Sequence, residues 1–194
     1  FVPAARVEAF LERVPANVVV VLDEAYNEYL DEADRFDSSR WLARHPNLLV
    51  SRTFSKAYGL ASLRVGFGLA QAELTDLLNR VRQPFNVSSP ALAAARAALA
   101  DHEFVARSRA VNRSALNRLE RAFREMGLEF LPSFGNFSLV RVGDAAAVYE
   151  GLLRAGVIVR PVAGYGLPEW LRVSVGLPEE NDRFLAALRP LVGR

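Results

Sequence analysis

The chain has 194 residues, of which 51% are hydrophobic and 24% are charged, and these proportions are typical of a globular protein. Its 24 basic and 22 acidic residues give a net charge of +2, an excess too small to predict a nucleic acid or an anionic membrane as a partner. The absence of cysteine excludes disulfides and thiolate metal sites, and no apolar run approaches the ~18 residues of a membrane span.

Helical and strand patterns alternate over the first hundred residues. The run Val18–Leu22 is unbroken and apolar, which predicts a buried parallel strand. Ser38 and Ser39 are expected to cap a short helix over 40–44, and Pro90 is expected to open a helix that ends near residue 100. The remaining predicted elements are a helix over 3–14, strands over 47–52 and 65–70, and a helix over 71–81. This alternation predicts an α/β fold with a mostly parallel sheet.

The pattern changes near residue 100. An apolar stripe at spacings of three, four and seven predicts one long helix over 101–126, and Gly127 is expected to end it. Strands are predicted over 128–131, 136–142, 157–160 and 171–175, with helices over 144–155 and 178–189. We therefore predict two domains, the second a small α+β domain: residues 1–100 and residues 101–194.

Hydroxyl groups, one amine and one guanidinium are gathered in the segment from residue 51 to residue 64. An amine attacks a carbonyl only in its unprotonated form, and Arg64 is a nearby cation that would favour this form of Lys56. Thr53 and Ser55 lie two residues apart, so in an extended segment both hydroxyls point to the same side and can donate to phosphate oxygens. Arg64 can add a charge-assisted contact to the same phosphate. The segment therefore predicts that Lys56 holds a phosphorylated aldehyde.

A second group of polar residues follows the predicted strand 18–22 and consists of Asp23–Tyr26. Ligands of open α/β sheets collect beyond the carboxyl ends of the strands, so we expect this group and the Lys56 segment to be neighbours. A buried carboxylate that faces a pyridine nitrogen keeps the ring cationic, which makes pyridoxal phosphate an electron sink. Asp23 is the candidate for this carboxylate.

Four motifs spread along the chain carry a specific resemblance. They occupy Val21–Tyr26, Arg52–Gly66, Pro84–Ser88 and Arg160–Gly176, in the order in which the family has them. On these motifs the chain resembles the C-terminal part of a fold-type I pyridoxal-phosphate aminotransferase, and most closely the histidinol-phosphate aminotransferases. The resemblance extends over essentially the whole chain.

The resemblance implies a role for each residue of the cofactor site. Lys56 would form the Schiff base with pyridoxal 5'-phosphate and would later move the proton between the substrate and the cofactor. Asp23 would hold the pyridine nitrogen, and Tyr26 would hydrogen-bond the phenolic oxygen. The expected phosphate-binding residues are Thr53, Ser55 and Arg64.

The resemblance also implies the substrates and the setting of the reaction. Arg172 would grip the substrate α-carboxylate with its fork of donors, and Asn136 would lie near that carboxylate. The expected substrates are an amino acid and a 2-oxo acid, best matched by histidinol phosphate and 2-oxoglutarate in histidine biosynthesis. A cytoplasmic homodimer is expected, with no metal, nucleic acid or membrane.

Several family features have no counterpart in this sequence. They are an N-terminal arm, a glycine-rich turn for the phosphate, an aromatic residue that stacks on the ring, and an asparagine before a turn. We therefore expect the chain to be a fragment that binds the cofactor poorly and does not turn over alone.

Other interpretations remain open at the level of sequence. The same cofactor site supports decarboxylation, for instance of a phosphorylated threonine. A non-catalytic, aminotransferase-like sensor module of a transcription regulator would also retain Lys56, Asp23 and Arg172. Within a strand, Arg172 could instead simply pair with Glu169 or Glu179.

Overall fold

The structure is a computed structural model that describes residues 1–193, so the last residue of the predicted second domain lies outside the described residues. The chain divides into two compact units, Phe1–Ser108 and Arg109–Arg194. Over the described residues, none of the helices combines the length and the apolar character needed to cross a membrane.

The first unit contains a three-stranded mixed sheet and three helices. Its elements are α1 (Ala4–Leu11), β1 (Val20–Asp23), β2 (Leu48–Thr53), β3 (Gly66–Leu69), α2 (Ala72–Val81) and α3 (Ser89–Ala100). The strand order is β1-β2-β3, with β1 parallel to β2 and β3 antiparallel to β2. The prediction of a mostly parallel sheet therefore holds for one of these two pairs. The segment between β2 and β3 has a single turn of 3-10 helix over Ala61–Leu63, too little to carry the chain back for a parallel crossover.

The prediction that Val18–Leu22 is a fully buried strand is wrong for one face. Val20 and Leu22 pack against a small core formed by Leu11, Trp41, Leu48 and Val50. Val18, Val19 and Val21 are 46%, 54% and 58% exposed. A run of apolar residues predicts burial on both faces, but the described residues cover only the face toward α1.

The short helix predicted over 40–44 is a single turn of 3-10 helix over Ser38–Trp41, and its cap is Asp37 rather than a serine. The Asp37 carboxylate accepts hydrogen bonds from the Ser39 hydroxyl at 2.6 Å and from the Ser39 backbone N–H at 3.2 Å. These bonds lower the pKa of the Asp37 carboxyl. A carboxylate is a stronger acceptor than a hydroxyl, so the acid one residue earlier takes the capping position.

The second unit is built on a four-stranded antiparallel sheet. The helix α4 (His102–Glu125) begins in the first unit, and β4 (Phe130–Leu131), β5 (Phe137–Arg141), α5 (Ala145–Arg154), β6 (Arg160–Pro161), β7 (Trp170–Ser174) and α6 (Pro178–Val192) follow. The strand order is β4-β5-β7-β6, and all three pairs are antiparallel. One face of this sheet is packed against helices, and on β5 and β7 the residues of the other face are partly or fully exposed.

The core of the second unit is continuous. Strand β7 alternates, so that Leu171 and Val173 are buried while Arg172 between them lies on the opposite face. The ring of Phe123 on α4 packs edge to face against Phe184 on α6, with 6.3 Å between the ring centroids. Other fully buried members of this core are Leu119, Val140, Leu152 and Leu188. The sheet thus presents Arg172 from a rigid, well-packed support.

Candidate functional site

Lys56 lies in a bend that immediately follows β2. The aromatic ring of Phe54 and the methyl group of Ala57 are buried on either side of it, each 2% exposed. The Phe54 N–H donates to the Val65 carbonyl at 3.2 Å, and the Leu60 N–H donates to the Phe54 carbonyl at 2.9 Å. These contacts fix the backbone of the bend, while the side chain of Lys56 remains half-buried.

The three proposed phosphate ligands are held together in the same loop. The Ser55 N–H donates to the Thr53 hydroxyl oxygen at 3.1 Å, and the Arg64 guanidinium donates to the Ser55 hydroxyl oxygen at 3.4 Å. The regular strand ends at Thr53, so strand alternation does not set the direction of the Thr53 and Ser55 hydroxyls. The hydrogen bond from the Ser55 N–H to the Thr53 hydroxyl oxygen holds the two residues together instead. A second donation from Arg64, to the Ala61 carbonyl at 2.8 Å, orients the guanidinium.

Arg64 also has an unusual backbone conformation, with φ 54° and ψ 48°. The left-handed region costs a residue with a side chain about 1–2 kcal/mol, so the surrounding contacts must determine this conformation. Strained positions of this kind cluster at functional sites. Arg64 therefore combines a left-handed backbone with a guanidinium held by two hydrogen bonds.

Asp23 and Tyr26 occupy the end of β1 and the loop behind it. Asp23 is the last residue of β1 and pairs with Ser51 on β2, so both strands end at the same edge of the sheet. One Asp23 carboxylate oxygen accepts from the Ala25 N–H at 3.0 Å, and the side chain is exposed. The Lys56 amine lies 5.4 Å from the centroid of the Tyr26 ring. The structure thus places Lys56 and Tyr26 side by side, as a cation and an aromatic face.

An ion pair that sequence reasoning missed lies directly behind these loops. The Nε and Nη2 atoms of Arg52 donate to the Glu24 carboxylate at 2.9 and 2.8 Å. Both residues lie at the ends of predicted strands, which indicates that they are close, but their pairing depends on the register of β1 and β2. Since β1 and β2 are parallel neighbours, residues at their carboxyl ends meet.

Two further titratable groups of the first unit are affected by the same charges. Burial raises the pKa of the Glu28 carboxyl, the negative charge of Glu24 raises it further, and the Arg52 guanidinium opposes the shift. Burial also raises the pKa of the Tyr58 hydroxyl, and the charge of Glu28 adds to this effect. The Arg52 guanidinium therefore stabilises negative charge on more than one acid.

In the second unit, Arg172 lies on β7 with a partly buried side chain. Its Nε atom is buried and makes no hydrogen bond within the described residues, and its guanidinium lies 5.1 Å from the centroid of the Phe137 ring. Arg160 on β6 is its cross-strand register partner, so the two arginine side chains start from the same face of the sheet. Sequence reasoning did not assign Arg160, because the register of β6 and β7 is not visible in the sequence.

The structural alternative for Arg172 was an ion pair with Glu169 or Glu179. Glu169 instead accepts from Arg141, with 2.8 Å between Arg141 Nη2 and the carboxylate oxygen. Within the described part of the second unit, no carboxylate lies within ion-pair distance of Arg172. The guanidinium therefore has its charge available for a ligand.

Asn136 immediately precedes β5, and its carbonyl accepts from the Val175 N–H at 2.8 Å. The preceding turn is fixed by the buried Asn112, whose amide donates to the Gly135 carbonyl at 2.9 Å. Arg172 pairs with Leu139, so Asn136 lies three register positions away on the neighbouring strand. Asn136 itself lies just outside β5, and its odd offset from Leu139 means that strand alternation does not put its side chain on the face of Arg172.

The predicted site residues are thus divided between the two units. The first unit holds Asp23, Tyr26, Thr53, Ser55, Lys56 and Arg64, and the second unit holds Asn136 and Arg172. No cluster of three or more histidine, aspartate or glutamate side chains suited to a metal ion is present among residues 1–193. The chemistry offered by the first unit is an amine, a phenol, a carboxylate, two hydroxyls and a guanidinium.

Comparison with known proteins gives consistent matches. The family model for aminotransferase class I and II matches residues 1–188. The chain is 64% identical over 192 residues to histidinol-phosphate aminotransferase 1 of Cupriavidus pinatubonensis, and the alignment covers 97% of this chain and 51% of that protein. It is 62% identical, with the same coverage of both proteins, to histidinol-phosphate aminotransferase 2 of Ralstonia nicotianae. The chain spans about half the length of the curated relatives it matches.

The structural comparison agrees with the sequence comparison. The crystal structure of histidinol-phosphate aminotransferase from Sinorhizobium meliloti in complex with pyridoxal-5'-phosphate superimposes with a TM-score of 0.91 at 35% sequence identity. The match covers 99% of this chain and 53% of that chain. The fold of both units is therefore a known one.

Proposed function

The chain belongs to the aminotransferase class I and II family, and on that premise we propose that it forms part of a histidinol-phosphate aminotransferase that uses pyridoxal phosphate. The observation that carries this proposal is the loop in which Lys56 lies beside Tyr26 while Arg64 contacts Ser55. The loop combines an amine for an aldehyde with a cation and a hydroxyl for a phosphate.

The donor set of the first unit fits pyridoxal phosphate. Arg64, Ser55 and Thr53 offer one positive charge and two hydroxyl groups to the phosphate. The Tyr26 hydroxyl is assigned to the phenolic oxygen, and the exposed Asp23 carboxylate to the pyridine nitrogen. Each polar group of the cofactor thereby has a partner of the appropriate charge or hydrogen-bonding type.

When bound, pyridoxal phosphate supplies an electron sink for the bond that is broken at the substrate α-carbon. Lys56 would hold the aldehyde carbon through its Nζ atom, and its free amine would accept and return the α-proton of the amino donor. Asp23 favours the protonated pyridine nitrogen through its negative charge. Tyr26 orients the ring by donating from its hydroxyl group. Arg64 holds the phosphate, so the ring keeps its place while Lys56 moves.

We assign substrate binding to the second unit. Arg172 binds the carboxylate of 2-oxoglutarate through its fork of donors, and the buried Nε without a partner supports this assignment. Arg160 supplies a second positive charge, which suits a substrate group with two negative charges such as the phosphate of histidinol phosphate. Asn136 is assigned to the same substrate region as a neutral donor and acceptor.

The complete protein is proposed to be longer than this chain and to act as a homodimer. The three exposed valines Val18, Val19 and Val21 support a partner surface for β1, and we propose that β1 belongs to a larger, mostly parallel sheet. We assign the first unit to the large cofactor-binding domain and the second to the small domain. The cytoplasmic location and the inactivity of the isolated chain stay predictions.

Borohydride reduction of the complete cofactor-bound protein tests this proposal. Lys56 is the only lysine in the chain, so a pyridoxyl label on any peptide of this region has one possible lysine. We expect peptide mapping to find the label at Lys56 and the variant Lys56→Ala to lack it. A label on a lysine outside this chain, or no label, would refute the assignment.

The alternative functions can be distinguished by the substrate with which the complete protein reacts. Mixing the complete protein with histidinol phosphate should convert the visible absorbance of the cofactor to that of its amine form, and 2-oxoglutarate should restore it. Release of carbon dioxide from a phosphorylated threonine would indicate a decarboxylase instead. Cofactor binding with no turnover of either substrate would favour the sensor module.

A further inference from the structure

We infer that the ion pair between Glu24 and Arg52 is a positioning device for the reaction. It holds the loop with Asp23 and Tyr26 at a fixed distance from the loop that carries Lys56. This inference rests on the proposed function, because it concerns the geometry of the same cofactor site. Neither Glu24 nor Arg52 is assigned a contact with the cofactor or the substrate.

The geometry of the pair is that of a strong, oriented contact. Both the Nε and the Nη2 atoms of Arg52 donate to the same Glu24 oxygen, Oε2, at 2.9 and 2.8 Å. The two side chains are only 21% and 12% exposed, so solvent screens their attraction weakly. Two donors from one planar group fix the direction of the contact as well as its length.

The position of the pair in the sheet explains how it acts. The Glu24 N–H donates to the Ser51 carbonyl at 2.9 Å, which extends the β1–β2 ladder by one bond beyond Asp23. The Glu24 side chain then binds the next residue of β2, Arg52. Backbone and side chain of one residue are therefore fixed to two consecutive residues of the other strand.

The loop with Asp23 and Tyr26 and the loop with Lys56 both begin next to this ion pair. Glu24 is next to Asp23 and two residues before Tyr26, while Arg52 is four residues before Lys56. The amine of Lys56 and the ring of Tyr26 lie 5.4 Å apart across the gap between the loops. An error of about 1 Å in such a distance can cost about 100-fold in rate, because the reacting groups must be aligned.

The charges of the region predict that the two partners are unequal. Glu28 is a second, partly buried acid whose pKa is raised by burial and lowered by Arg52. Loss of Arg52 would remove the positive charge that acts on both Glu24 and Glu28, whereas after loss of Glu24 the charge of Arg52 is still opposed by that of Glu28. We therefore expect neutralisation of Arg52 to be the more damaging change.

The experiment compares variants of the complete, cofactor-bound protein. The set consists of Glu24→Gln, Glu24→Asp, Arg52→Gln, Arg52→Lys and the double variant E24Q/R52Q, with Arg141→Gln as the control. In the second unit, Arg141→Gln breaks ion pairs with Glu129 and Glu169, whose side chains are about half exposed. The measurements are kcat per bound cofactor, KM for each substrate, melting temperature, and the pH midpoint of the visible cofactor absorbance.

Positioning predicts a specific pattern in these measurements. Glu24→Gln and Arg52→Gln should each lower kcat about 100-fold, and Arg52→Gln should have the lower kcat of the two. Both should shift the pH midpoint of the cofactor absorbance, while KM changes less than about threefold. Glu24→Asp and Arg52→Lys keep the charges and should recover part of kcat. The double variant should lose less than the product of the two single losses, because the partners act as one unit. Arg141→Gln should leave kcat and the midpoint unchanged.

Two results would overturn the inference, and only one of them would also overturn the proposed function. If the variants lower the melting temperature but leave kcat per bound cofactor and the pH midpoint unchanged, the pair is structural only and the proposed function stands. If the wild-type protein carries no pyridoxyl label at Lys56, the proposed function fails and the positioning role fails with it. Should a glutamine variant not fold, the same criteria apply to Glu24→Asp and Arg52→Lys.

Discussion

The two units of the chain use their hydrophobic residues differently. The second unit encloses one continuous core between an antiparallel sheet and its helices. The first unit has two small, separate clusters, one around Trp41 and one around Phe54, and it leaves Val19 and Val21 more than half exposed. The comparison shows that apolar composition alone does not tell whether a unit completes its own core.

The two units also differ in how they hold charge. The second unit keeps Arg172 and Arg160 side by side without an acidic partner in the described part of that unit, which prepares the surface for an anion. The first unit pairs Arg52 with Glu24 and uses the pair as support behind its functional loops. We propose that the unpaired Arg172 binds a ligand and that the paired Arg52 positions the loops of the first unit.

The largest expected effect is on catalysis and belongs to the first unit. Lys56→Ala should lower kcat of the complete protein by about 10⁴-fold, because it removes both the attachment point and the acid-base group. The melting temperature should change little, since the side chain is only half-buried. Steady-state rates and calorimetry on the same preparation check this prediction, and a residual rate within tenfold of the wild type would contradict it.

The next largest expected effect is on stability, and it should differ between the two units. Leu152 is fully buried in the second unit, and Leu152→Ala should cost about 2–5 kcal/mol of unfolding free energy through lost burial and the cavity left behind. Val21→Ala should change the stability of the isolated chain by no more than about 0.5 kcal/mol, because Val21 is exposed there.

Urea unfolding of the isolated chain and of the complete protein measures both variants. In the complete protein Val21→Ala should cost clearly more than in the isolated chain, since we propose that another surface covers β1. Equal costs in the two forms would show that this face of β1 stays exposed.

A smaller effect should distinguish the anion site of the second unit. Arg172→Lys should raise KM for 2-oxoglutarate about 10- to 100-fold, because one point charge replaces a two-pronged contact worth about 1.5–3 kcal/mol. Unfolding free energy should be nearly unchanged. Initial rates at varied 2-oxoglutarate concentration test this prediction, and Arg141→Lys, which changes an exposed strand arginine, is the matched control. An unaltered KM would show that Arg172 does not bind the carboxylate.

The smallest effect concerns the pH dependence of the first unit. Burial raises the pKa of the Glu28 carboxyl in the folded chain above its ordinary value of 4.5. The folded state therefore binds more protons than the unfolded state between these two pKa values, so stability falls as the pH rises through this window. Glu28→Gln should remove this loss and flatten the profile. Urea unfolding at a series of pH values from 4 upward gives the comparison, and identical slopes for both proteins would contradict it.

Much of the fold and of the candidate site could be predicted from sequence. The helix opened by Pro90 and the long helix predicted from apolar spacing over 101–126 are present as α3 and α4. The prediction that the Asp23 group and the Lys56 segment are neighbours followed from the rule that ligands collect at strand ends, and the structure has Lys56 beside Tyr26. The catalytic and binding roles of these residues stay predictions.

The sequence by itself determined where helices and strands occur and which residues could carry chemistry, because periodicity, capping and side-chain chemistry act over a few neighbouring residues. Only the tertiary structure decided the antiparallel direction of β3, the exposure of Val21, the pairing of Arg52 with Glu24 and the placement of Arg160 beside Arg172. Each of these depends on contacts between residues far apart in the chain, whose register and direction leave no local pattern.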